Sequence, residues 1–97
     1  MKIVINACHG GFSLSEEAQK LFCQYSMIEW KDWQEDWSYY DIERNNQHLV
    51  RVVEELGDNA NGRFSELKVV DIPDDVQWQI DEYDGAEWVA EKHKTWR

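Results

Sequence analysis

No run of apolar residues in this 97-residue chain is longer than the three of Ile3 to Ile5. A membrane-spanning helix needs ~20, and no signal-peptide pattern precedes that run. The expectation is a cytoplasmic protein without a membrane partner. Cysteine is scarce: only Cys8 and Cys23 are present. They can form one bridge at most, and without a secretion signal both read as free thiols. Motifs of high chemical specificity are also missing. There is no G-x-G-x-x-G and no G-K-S/T. Cys8, His9, Cys23, His48 and His93 contain none of the compact ligand pairs of a structural zinc site. Asp81, Glu82 and Asp84 before Gly85 do not have the spacing of a calcium loop. The residues thus assign no metal, no cofactor and no catalytic group, and the reading leans away from an enzyme.

Basic residues are absent from one long stretch. Between Asp71 and Glu91 there are eight acids and no Lys or Arg. Lys92, Lys94 and Arg97 then reverse the sign, within a net charge of −10. Such a field repels nucleic-acid phosphates and attracts basic protein surfaces, so direct nucleic-acid binding is disfavoured. The plain alternative is an acidic face that keeps a small protein soluble.

What is present is enough to fold. A hydrophobic fraction of 42% with six Trp residues is too rich for a disordered chain, and the length suits one domain over residues 1–97. "KIVIN", residues 2–6, reads as a buried strand. Ser13 and Glu16 have the S-x-x-E spacing of a capping box, which predicts a helix over 14–25 with Leu14, Ala18, Leu21, Phe22 and Tyr25 on its apolar face. Residues 28–44 are mixed: Trp30, Trp33, Trp37 and Tyr40 lie on one helical stripe, whereas "SYYDIE" can equally end in a strand. Leu49, Val50, Val52, Val53 and Leu56 predict a second helix stopping at Gly57. "ELKVVDIP" is a strand, and "VQWQIDEYDG" reads as a partly exposed strand paired to it. After the Asp84-Gly85 turn, "AEWVAEKHKTW" is a third strand or a short helix. The expected fold is α+β: one small sheet of three to five partly antiparallel strands with two helices packed on one face.

Two regions invite a functional reading. In "CHGGFS", Cys8 and His9 are adjacent on an extended backbone, where neighbouring side chains point to opposite faces, so they make a poor nucleophile–base pair. His48 or His93 would have to reach Cys8 through the fold. Gly10 and Gly11 before a capped helix resemble an anion cradle, giving Cys8, His9, Gly10, Gly11, Phe12 and Ser13 as a candidate ligand site. Glu16 and Glu17 in the first turn oppose an anion there, and a tight corner accounts for the glycines equally. The second region is acidic and aromatic. Trp30, Trp33 and Trp37, with Asp74, Asp75, Asp81, Glu82, Asp84 and Glu87, form a candidate protein-binding set.

"KIVINACHGGFSLS", "LVRVVEELGDNANGRFSELKVVDIPDDV" and "IDEYDGAEWVAEKHKTWR" together resemble a group of small proteins of tailed bacteriophages and prophages, with KIVIN-x-C-x-GGF, ELG-x-x-ANG and YDG-x-E as the shared segments. The resemblance spans about two-thirds of the chain and omits Glu29 to Tyr40. It implies a phage product acting in the host cytoplasm and carries over no catalytic residue. With the charge, it suggests an accessory protein that binds and inhibits a bacterial protein with a basic surface, such as nucleic-acid-binding defence machinery. The alternative is a nucleotide- or phosphate-binding protein using the glycine loop.

Overall fold

The structure, a computed structural model, describes residues 1–91; Lys92 to Arg97, including His93 and the basic reversal, lie outside the described residues. Its core is built from two helices on a pair of strands. β1 (Lys2–Asn6) and β2 (Leu67–Asp71) pair antiparallel, with Ile3 opposite Val70 and Val4 opposite Val69. These β-branched residues fit a pleated, buried surface. α1 (Glu16–Ser26) and α3 (Gln47–Leu56) pack on each other, and α3 also lies against both strands. Val4, Phe12, Leu14, Ala18, Phe22, Leu49, Val52 and Val53 close the core between them.

The helix ends have local causes. Asn46 Oδ1 accepts the backbone N–H groups of His48 and Leu49 and starts α3, and Gly57 at φ 56° ends it. At α1 the expected cap shifts by two residues. Ser15 Oγ, not Ser13, accepts the Ala18 N–H. Ser13 is held outside the helix because its carbonyl accepts the Gly62 N–H and the Ser65 hydroxyl. The mixed segment resolves into a third, short helix, α2 (Trp30–Asp36), and a 3-10 turn at Tyr39–Asp41, so there are three α-helices rather than two among the described residues.

The expectation of one sheet is not met. β3 (Trp78–Tyr83) pairs with β4 (Ala86–Glu91), not with β2, and the hairpin is a separate two-stranded sheet. Asp84 at φ 51° and Gly85 at φ 89° make the two-residue turn with both central φ angles positive that such hairpins favour. β4 lies beside β1 without a backbone ladder. The reason is that the second edge of β1 is already occupied. The Val4 N–H is bonded to the Arg44 carbonyl, and the Asn6 N–H to the Glu87 carboxylate. Among the described residues no helix is long and apolar enough to cross a membrane.

Candidate functional site

The "CHGGFS" corner is a junction of three backbone segments. A Cβ on Gly10 would stand 1.7 Å from the Phe64 carbonyl oxygen, and one on Gly85 would stand 2.4 Å from the His9 carbonyl oxygen. Residues 8–11 are therefore packed between the 62–66 loop and the hairpin turn. Cys8 Sγ donates to the Phe64 carbonyl at 3.1 Å, and the His9 ring meets the Asp84 carbonyl at 3.3 Å. The two side chains have different partners, and His48 sits at the start of α3 instead of against Cys8. Phe12 is buried beneath the Arg44 guanidinium, 3.6 Å from its ring centroid. The α1 N-terminus follows Gly11 by a few residues, is capped by Ser15, and carries Glu16 and Glu17 in its first turn. Both cysteines are free. Burial pushes the Cys23 thiol up from its ordinary pKa.

Asn6, Arg44 and Glu87, two of which the sequence did not single out, form the polar centre of the molecule. Glu87 is 9% exposed and takes a bidentate pair from Arg44, with Nη1–Oε1 at 2.6 Å and Nη2–Oε2 at 2.8 Å. Asn6 is fully buried. Its Nδ2 donates to the Cys8 and Gly85 carbonyls, and its Oδ1 accepts the Glu66 N–H. One side chain thus joins β1, the glycine corner, the loop before β2 and the hairpin turn. The clue in the sequence was a polar residue ending a run of buried ones.

Glu87 consequently faces inward and leaves the candidate surface. Trp33 also leaves it: it is 2% exposed, it packs on Phe22, and its Nε1–H donates to Gln19 Oε1 at 2.9 Å. Trp30 is half-buried under Lys20, and Trp37 is 52% exposed with its ring stacked on Trp33. The acids fall into two groups. Asp74 and Asp75 precede β3 and Asp84 follows it, so a strand length of about 20 Å separates them. Asp74 is hydrogen-bonded to the Met1 ammonium, which holds its carboxyl below the usual range. At the turn end, Asp81 stands opposite Trp88, and Asp81, Tyr83 and Trp88 share the outward face, with Asp84 in the turn next to them; Glu82 stands opposite Glu87 and shares its face instead. Tyr83 is 72% and Trp88 46% exposed. Neither aromatic was in the expected set: the alternation of Trp78 and Ile80 leaves Tyr83 on the polar face of β3, and Trp88 joins that face only through its register opposite Asp81.

A cleft of about 320 Å³ opens between the end of α1, α2 and the approach to α3, with Trp33 and Trp37 in its wall. Among the described residues no three His, Cys, Asp or Glu side chains converge to hold a metal ion. No family model, curated protein or solved structure matches the chain.

Proposed function

We propose that this protein works by binding, as an accessory protein of phage origin that inhibits a bacterial host or defence protein in the host cytoplasm. The observation that carries this reading is the outward face of the β3–β4 hairpin, where Tyr83 and Trp88 stand exposed with Asp81, next to Asp84 of the turn. Exposed aromatics flanked by charge are the usual anchors of protein interfaces, and Trp and Tyr dominate their binding energy. No Lys or Arg lies between Asp71 and Glu91 to weaken the field. The partner's complementary surface is basic, of the kind built for phosphates, and direct nucleic-acid contact is disfavoured by the same charge.

The test is capture of partners from bacterial lysate by the wild-type protein and by two variants, Tyr83→Ala/Trp88→Ala and Asp81→Asn/Glu82→Gln/Asp84→Asn. A partner retained by wild type, lost by the aromatic variant, and weakened by both raised salt and the charge variant is the expected result. A partner indifferent to salt and to the charge variant removes the acidic mechanism. No partner under either salt condition removes the reading.

A further inference from the structure

We propose that the cleft beside α2 is a binding site for an organic cation, a guanidinium or primary ammonium group carried on a flat or apolar body. The site is independent of the hairpin surface. Its volume, about 320 Å³, falls at the small end of the ~300–1,000 Å³ typical of small-ligand sites. Phe22, Ile28, Trp33 and Ile42 supply apolar wall, and Trp37 adds an aromatic ring that is half open to solvent. A ring face of this kind attracts a cation.

The polar lining selects the sign of the ligand. Asp41 and Glu43 line the cleft, and neither takes part in an ion pair among the described residues. Among the described residues no Lys or Arg lines it. The adjacent start of α3 does not offset the acids, because Asn46 Oδ1 already accepts the N–H groups of His48 and Leu49. An anion would meet two carboxylates and a capped helix end. An uncharged ligand would leave both acids unused.

A second observation comes from Ser26. Its Oγ is buried in the residue that ends α1, and it has no hydrogen-bond partner among the described residues. Ser26 also lines the cleft. An unpaired buried hydroxyl costs free energy, and a donor brought against it from the cleft would remove that cost. Guanidinium and ammonium groups carry several donors and no acceptor, which matches a hydroxyl lone pair together with two carboxylates.

The test is titration of the protein with agmatine and, separately, with a capped Gly-Arg-Gly peptide, followed by calorimetry and by the indole N–H resonance of Trp37, assigned with Trp37→Phe. The citrulline peptide is the uncharged control. Saturable binding of either cationic probe is expected, with the citrulline peptide and the Asp41→Asn/Glu43→Gln variant each weaker by about tenfold. Trp37→Ala, at an exposed position, is expected to weaken binding while the circular dichroism spectrum is unchanged. Tighter binding of agmatine identifies a free small molecule as the source, and tighter binding of the peptide identifies a partner's side chain. Absence of saturable binding by both cationic probes overturns the proposal. So does equal binding of the citrulline peptide, or undiminished binding by the acid-to-amide variant.

Discussion

Three side chains hold together parts of the chain that no regular ladder connects. Asn6 satisfies two carbonyls and one backbone N–H from three segments, and the Arg44–Glu87 pair fixes the hairpin beside β1. Arg44 is 19% exposed and Glu87 9%, so each depends on the other to offset the loss of water. Glu87→Gln keeps an acceptor for the Asn6 N–H but leaves the guanidinium without its counter-charge. The expected cost is about 3 kcal/mol, read as a lower urea midpoint at unchanged slope. A midpoint within error of wild type would mean that the pair is as well solvated as a surface ion pair. The sequence placed Glu87 among the surface acids because its neighbours Glu82, Asp84 and Glu91 are acidic. Its register opposite Glu82 on β3 belongs to the hairpin itself, but its reach to Arg44 exists only after the hairpin docks.

At the scale of elements, helices were more legible than strand pairings. The spacing of Leu49, Val50, Val52 and Val53 and the stop at Gly57 gave α3 almost to the residue, because both signals are local. The Asp84-Gly85 turn was equally readable. Which strand pairs with which is a non-local choice, and here the first strand of the chain, β1, joins β2 across all three helices. The glycine corner shows how this bears on a candidate site. Gly11 has φ +87° with nothing within 4 Å of where a Cβ would stand, whereas Gly10 faces the Phe64 carbonyl. Gly11→Ala is expected to cost about 1–2 kcal/mol, the penalty of a left-handed backbone. Gly10→Ala is expected to cost more, about 3 kcal/mol, because the two loops must part. Thermal unfolding of both variants checks this order. The reverse order would show that the corner is open on the side where a ligand would enter.

The molecule as a whole carries twice as many acids as Lys and Arg together, and self-repulsion of that kind destabilises the compact state. Among the described residues the surface ion pairs, Lys2–Glu54, Lys20–Glu16, Arg51–Glu55 and the Met1 ammonium with Asp71 and Asp74, are of the exposed class worth little. Screening should therefore relieve more repulsion than it removes attraction. A melting temperature that rises in ~1 M sodium chloride, where the screening length falls to ~3 Å, is the expected outcome. Each kcal/mol relieved corresponds to about 4–8 °C for a domain of this size. A fall in melting temperature would mean that attractive pairs dominate the surface.

Composition, charge placement, the apolar stripes and the turn residues determined by themselves that this chain forms an α+β fold with an acidic stretch from Asp71 to Glu91. These features depend on neighbours within a few positions, or on sums that need no geometry. Tertiary structure alone decided that the sheet splits in two, that Glu87 and Trp33 turn inward while Tyr83 and Trp88 turn outward, and that a cleft opens beneath Trp37. Each of those outcomes turns on which distant groups occupy the edge of β1 and the flank of α2. Arg44 and Glu87 take up the N–H and C=O groups that a further strand would have used, and no local pattern encodes that competition.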